Sequence, residues 1–272
     1  MNVAIVGANA YLAKNISRYF ENLTYYNRLE YVPNPGILKT YDYIVNFSLQ
    51  PEFKTQILKP DDIIDVQIAN IIKDSKCKLV MISSRKVYGS NARLAKYTEK
   101  SALNPVDVYA KNKVTAEKCV LDILPDRCLI LRLGNILDEP TDKKEYNTFI
   151  GWIAESLKNK GILDVTEHPD VKKDFITRDY FQYALHELIV KNCVGVYNIG
   201  AGYGISLKEF LPIITGKKHI VFNHGVKKRD QFILGCNKLH TIVKPFPRAD
   251  IDLVCQKIHK ELLNQNAERG NK

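Results

Sequence analysis

The chain has 272 residues, 45% of them apolar and 26% charged, with 40 Lys and Arg against 30 Asp and Glu for a formal charge of +10; this is a soluble globule's balance, with length enough to bury a substantial core. No uncharged apolar run reaches membrane-helix length and no basic-then-apolar leader precedes the first strand, so a cytoplasmic location without membrane contact is expected. Cys77, Cys119, Cys128, Cys193, Cys236 and Cys255 form no C-x-x-C pair and the six histidines have no metal-ligand spacing, which argues against a disulfide framework and against a metal site.

Met1-Asn2-Val3-Ala4-Ile5-Val6 predicts a buried strand, followed at once by Gly7-Ala8-Asn9-Ala10-Tyr11-Leu12-Ala13 and by Lys14 to Phe20 at helical spacing. Strand, small-residue turn and helix start form the arrangement that aims backbone N–H groups at a phosphate, and such a parallel strand needs a sheet around it. Leu23 to Tyr26 reads as a second strand ending in Asn27-Arg28. In dinucleotide folds an acid at this end accepts from a free ribose 2′-hydroxyl, whereas an Arg pairs with a 2′-phosphate. With the nearest acid, Glu30, two residues late, Arg28 tilts the reading toward NADP(H) over NAD(H).

Pro33-Asn34-Pro35-Gly36 breaks the chain before a buried strand at Tyr41 to Ser48. That interval is too short for a full crossover helix, so the third strand and helix are trimmed or rebuilt. Residues Pro51 to Lys73 predict a largely helical stretch, Cys77 to Ser84 a strand ending in two hydroxyls, Tyr109 to Leu124 an amphipathic helix, and Cys128 to Leu133 the next strand. The alternation predicts an α/β, doubly wound parallel sheet. Past residue 135 the rhythm loosens: helices at Phe149 to Lys158, Asp179 to Lys191 and Ile251 to Leu263, strands at Gly161 to Val165 and Gly195 to Gly200, and a helix capped by Ser206 with Glu209. The polar tail from Asn264 is expected to fray. Lys-rich patches at 158–160, 172–173, 217–218 and 227–229 suit an anionic substrate, a solubilising surface or a nucleic acid, and charge alone does not choose.

Three pieces carry chemistry: Gly7 with Ala10 and Ala13; Ser84 at a strand end followed by Arg85-Lys86-Val87-Tyr88-Gly89; and Tyr109-Ala110-Lys111-Asn112-Lys113. Crevices at the carboxyl ends of parallel strands bind ligands, which suits Ser84. A Lys one turn beyond a Tyr lies on the same helix face, where its charge favours the phenolate and makes the Tyr a usable acid or base.

Together the pieces resemble the extended short-chain dehydrogenase/reductases, the NAD(P)-dependent sugar epimerases, dehydratases and reductases. The likeness runs from Met1 to about Phe210 through GANAYLA (7–13), VMISSRKVYG (80–89), YAKNK (109–113), LRLGN (131–135), KKDFI (172–176) and VYNIGAGYGISLKEF (196–210). It implies a Rossmann-type sheet over residues 1–135, with strands from about 161–200 returning to it, and a smaller, mainly substrate-binding portion over 136–272. It implies Ser84, Tyr109 and Lys113 as the catalytic triad. Gly7, Asn9, Ala10, Tyr11, Leu12, Arg28, Phe47 and Ser48 would meet the cofactor with Tyr109 and Lys113, and Ser84, Lys86, Tyr88, Asn135 and Lys173 would face substrate. Ala10 puts a methyl where the family usually has a second glycine, which points to weaker cofactor binding.

Arg85 and Lys86 stand where family dehydratases carry an acidic pair and one epimerising branch a Cys, which argues against both of those reactions. The resemblance then implies reduction of a nucleotide-linked 4-keto-6-deoxy sugar in surface polysaccharide or deoxysugar biosynthesis. Ser84 would hold the carbonyl, Tyr109 would donate the proton, and Lys113 would bind the nicotinamide ribose. Epimerisation needs the same three residues, and a non-catalytic NAD(P)-sensing regulator or complex subunit stays open as another class. The expected partners are an anionic nucleotide sugar and a second copy of the chain, docked through the helices containing residues 56 to 72 and 109 to 124, with no nucleic acid.

Overall fold

A computed structural model describes residues 1–28, 34–89, 96–137, 149–216, 220–223 and 231–270; Glu30 and the 217–218 and 227–229 patches lie outside them. In chain order the strands are β1 (Val3–Val6), β2 (Leu23–Tyr26), β3 (Tyr43–Asn46), β4 (Lys78–Ser84), β5 (Lys96–Tyr97), β6 (Cys128–Leu133), β7 (Asn135–Leu137), β8 (Leu163–Val165), β9 (Lys172–Lys173), β10 (Phe175–Thr177), β11 (Gly195–Ile199), β12 (Ile205–Ser206), β13 (Ile220–Phe222) and β14 (Ile233–Leu234). The α-helices are α1 (Ile64–Ile72), α2 (Val108–Ile123), α3 (Phe149–Lys160), α4 (Arg178–Val190), α5 (Leu207–Thr215), α6 (Asn237–His240) and α7 (Arg248–Gly270).

Six strands form one wholly parallel sheet in the order β11-β6-β4-β3-β1-β2. Its central strands are buried on both faces, which is why they read as unbroken apolar runs. Alternation divides them: Val3, Ile5, Val45, Val80 and Leu129 enter one core with Phe181 and Leu185 of α4, while Ala4, Val6, Ile44, Leu79 and Ile130 enter another with Ile68 of α1 and Val120 of α2. The chain is thus a doubly wound Rossmann-type sheet with a smaller, C-terminal group of short strand pairs. Leu163–Val165 does not return to the main sheet; it pairs with β13, so only β11 rejoins from the 161–200 stretch.

One expected helix is absent and another is shortened. Lys14 to Phe20 holds a 3₁₀ turn at Ile16–Arg18 behind another at Tyr11–Ala13, because Asn15, in the left-handed region at φ 62°, stops one before the next begins. Ile16 and Phe20 are buried as their spacing required, without an intervening α-helix. Between Pro51 and Lys73, α-helix is confined to α1, and Pro51 and Pro60 each open a 3₁₀ turn instead. The link from β2 to β3 is likewise short, carrying a 3₁₀ stretch at Pro35–Thr40. At the other end α7 runs on through Asn264 to Gly270 rather than fraying there.

Candidate active site

Strands β2 and β3 flank β1 on opposite sides, so the sheet order reverses at β1 and a crevice opens at the carboxyl ends. Gly7 follows β1 with φ +89°, and a Cβ there would fall 2.5 Å from the Ser48 amide nitrogen and 2.8 Å from the Phe47 carbonyl carbon. Conformation and space both demand glycine. Ala10 is extended at φ −68°, a conformation open to any residue. Asn9 is exposed, while Tyr11 and Leu12 are half-buried.

The turn is held from α4. Gln182 Nε2 donates to the carbonyls of Leu12 at 3.0 Å and Lys14 at 2.7 Å, and Arg178 Nη1 donates to the Tyr11 carbonyl at 3.4 Å with its guanidinium 4.9 Å from the Tyr11 ring. An α-helix would have satisfied such carbonyls internally; here a buried side chain does so. A glycine turn and a 3₁₀ first turn at this end of the sheet suit a dinucleotide, with less helix dipole to meet its phosphates than a full α-helix would give.

At the tip of β3, Phe47 is a core residue, edge-on to Phe181 at 6.2 Å between ring centres, and meets the crevice through its backbone. Ser48 lines a cavity of ≈ 720 Å³ with Gln50, Glu52, Asp61, Asp62 and Arg28. Three carboxylates therefore share this space with one guanidinium.

The second cluster forms where β4 meets α2. Asp107 caps the helix, its Oδ1 accepting from Ala110 N at 2.8 Å, while Lys86 Nζ donates to Oδ2 at 2.8 Å. Burial works against ionisation of Asp107, but the hydrogen bonds from Lys86 and Ala110 outweigh it and hold the carboxyl below its usual range. Tyr109 is half-buried, with its ring 5.8 Å from Lys86 Nζ and edge-on to Phe53 at 5.7 Å. Ser84 ends β4, and its Oγ accepts from Lys86 N at 3.3 Å, which leaves the hydroxyl proton for another acceptor. Lys113 is buried one turn inward from Tyr109, its Nζ 3.7 Å from the Asp65 carboxylate and 4.9 Å from the Phe53 ring centre. Such a set can hold a carbonyl or hydroxyl oxygen, exchange a proton through the phenol and bind vicinal hydroxyls through the ammonium.

Two expected substrate residues are placed elsewhere. Tyr88 is buried, stacked on Tyr97 at 5.1 Å, with its hydroxyl donating to Asn198 Oδ1 at 2.7 Å and accepting from Arg132 Nη1 at 3.0 Å; its polar end is used inside the fold. Lys173 is buried and paired to Glu167 at 2.8 Å, which neutralises the charge a pyrophosphate would need. Asn135 is half-buried where the chain passes from β6 into β7, next to the strand ends.

Sequence reasoning missed the buried polar groups beneath these elements. Asn112 fastens 53–58 to α2, donating to the carbonyls of Phe53 at 3.0 Å and Gln56 at 2.7 Å and accepting from Leu58 N at 3.0 Å. Glu117 takes Arg132 at 2.6–3.2 Å and Ser83 at 2.5 Å. Asp65 lies on the α1 stripe with Ala69 and Ile72, and Glu117 on the α2 stripe with Lys113 and Val120; acids at apolar-face spacing were the available signal. Among the described residues no group of His, Cys, Asp and Glu could hold a metal ion, and no helix is long and apolar enough to cross a membrane.

Residues 63–173 match the family model for the RmlD substrate binding domain. No curated protein sequence matches the chain. Among solved structures, UDP-N-acetylglucosamine 4-epimerase from Methanobrevibacter ruminantium M1 is 16% identical with a TM-score of 0.79, covering 97% of this chain and 98% of that one. RMD from Pseudomonas aeruginosa, complexed with NADPH, is 18% identical with a TM-score of 0.76 over 97% and 99%. UDP-glucuronic acid 4-epimerase from Bacillus cereus, in complex with UDP-glucuronic acid and NAD, is 15% identical with a TM-score of 0.77 over 97% and 100%. Likeness at these identities establishes the fold. It also overturns the preference for NADP(H) read from Arg28: five of the similar structures are complexes with NAD and one with NADPH. The acids beside Arg28 give the physical reason, since Glu52, Asp61 and Asp62 would repel a 2′-phosphate and can accept from hydroxyls.

Proposed function

We propose that this chain, which has the extended short-chain dehydrogenase/reductase fold, is an NAD-dependent enzyme that epimerises a nucleotide-linked sugar. The reading is supported by Ser84 at the end of β4 and by Tyr109 and Lys113 one turn apart on α2, both in contact with the Phe53 ring, on the fold of proteins solved as UDP-sugar 4-epimerases. Bound NAD would supply a reversible hydride acceptor, held by the Gly7 turn, the acid-lined cavity and Lys113. Tyr109 takes the proton of the sugar hydroxyl as it is oxidised and returns it after the keto sugar has turned over. Ser84 holds that oxygen throughout, and Lys113 binds ribose hydroxyls.

The same three residues perform a single ketoreduction, so the two readings differ in bookkeeping rather than in parts. In the epimerase the cofactor ends as it began; in the reductase one NADH disappears per turnover. Purified protein is incubated with NAD and a panel of UDP- and dTDP-sugars, products are separated by chromatography, and absorbance is followed at 340 nm with 4-keto sugars and NADH. Epimer formation without net absorbance change, lost in Tyr109→Phe, supports the proposal. Stoichiometric NADH oxidation shifts it to ketoreduction, and failure to bind NAD or NADH overturns both. Residues 1–135 with β11 form the nucleotide-binding unit in this reading and most of 136–272 the substrate portion. Pairing of two copies through α1 and α2 is checked by sedimentation.

A further inference from the structure

One buried acid has no part in the reaction above. Asp65, in the first turn of α1, is 1% exposed, and its carboxylate lies between β3 and α2. Asn46 Nδ2 donates to its Oδ1 at 2.7 Å, and Lys113 Nζ stands 3.7 Å from its Oδ2. Asn46 Oδ1 in turn accepts from the amide and hydroxyl of Ser48, at 3.0 and 2.7 Å, and Ser48 lines the cavity. Beyond Lys113 the contacts continue through the Phe53 ring to Tyr109. The path Ser48, Asn46, Asp65, Lys113 is continuous and almost wholly interior.

Burial drives the Asp65 carboxyl above its ordinary range, with Lys113 and Asn46 acting the other way. A purely structural pair at this depth holds best when short and multiply bonded, as Arg132 and Glu117 are. Lys113 and Asp65 instead make one long contact, with two further ammonium donors to direct. We infer that Asp65 is a positioning residue: it fixes the Lys113 ammonium and, through Asn46 and Ser48, ties its position to the wall of the cofactor cavity. The inference rests on the reading of Lys113 as the lysine that binds the nicotinamide ribose.

The test is a double-mutant cycle on NADH affinity, read from the change in NADH fluorescence on titration into folded protein. Asp65→Asn keeps the shape and an acceptor for Asn46 while removing the charge. A drop in affinity of roughly fivefold or more in Asp65→Asn, a comparable drop in Lys113→Met, and a double variant no weaker than the worse single one would support the inference. Additive losses would mean that Asp65 acts only on general packing and would overturn it, as would unchanged affinity in Asp65→Asn. Where Asp65→Asn does not fold, Ser48→Ala runs the same cycle: a loss present beside Lys113 and absent beside Met supports the link, and an equal loss in both backgrounds overturns it. If wild-type protein binds no NADH, the cofactor reading fails and takes this inference with it; binding that Asp65→Asn leaves intact sinks the inference alone.

Discussion

The two halves of the parallel sheet solve one problem by different means. From β4 to α4 the long crossings are carried by α2 and α4, helices that satisfy their own backbone, and charge is buried there as a network: Glu117 accepts three hydrogen bonds from Arg132 and one from Ser83, and Arg132 also reaches Tyr88. Between β1 and β2 the connection is made of short 3₁₀ turns, and the carbonyls of Tyr11, Leu12 and Lys14 are answered by Arg178 and Gln182 from a distant part of the chain. The regular half is self-sufficient locally; the rebuilt half borrows its order. The candidate acid and base sit on the first kind of scaffold and the candidate phosphate turn on the second.

That contrast can be broken at its strongest point by Glu117→Ala, which strands Arg132 in the interior. A loss of about 3–5 kcal/mol is expected, measured by urea denaturation. Asp174 gives a pH-dependent counterpart. Burial raises its carboxyl to about 7, against N–H donors from Ala201, Leu234 and Gly202. Between the usual carboxylate range and about pH 7 the folded chain holds a proton that the unfolded chain has released. Stability from this group is therefore fully present below about pH 4 and falls, by up to about 4 kcal/mol, as pH rises through 7. Denaturation midpoints compared at pH 5.5 and 8 should show the fall, and Asp174→Asn should flatten it.

In the rebuilt half, Gly7→Ala meets both the positive φ and the Ser48 backbone. A loss of about 1–3 kcal/mol is expected, together with loss of NADH binding in the fluorescence titration. The smallest effect belongs to Gln182→Ala, which removes two hydrogen bonds to the turn. About 1–2 kcal/mol is expected, and hydrogen exchange should quicken at residues 11–16 while α2 is unchanged. Equal exchange in both regions would mean that the turn does not depend on α4.

The same division decides what could be read from sequence. Strands β1, β3, β4 and β6 and helix α2 were legible because their burial is written locally, in apolar runs or stripes. The stretch from Lys14 to Phe20 misled because Ile16 and Phe20 are buried as a helix would bury them, while Asn15 and the α4 side chains settle the backbone. Pro51 and Pro60 break a stretch whose apolar spacing alone predicts one helix. Ser84, Tyr109 and Lys113 could be picked out by motif, but the partners that fix them could not. Asp65 is 48 residues from Lys113, and the Glu167 that occupies Lys173 looks like any surface acid. Such pairings are properties of the folded interior.

The grip of Gln182 on Leu12 and Lys14 spans about 170 residues of chain. During synthesis the amino-terminal turn therefore emerges long before the side chain that completes it. Until α4 has been made, those carbonyls have water as their partner, and the candidate nucleotide-binding end of the sheet cannot reach its final shape. A ribosome-stalled chain ending before residue 182 should gain no protection from NAD against proteolysis, and one extended past the last helix should.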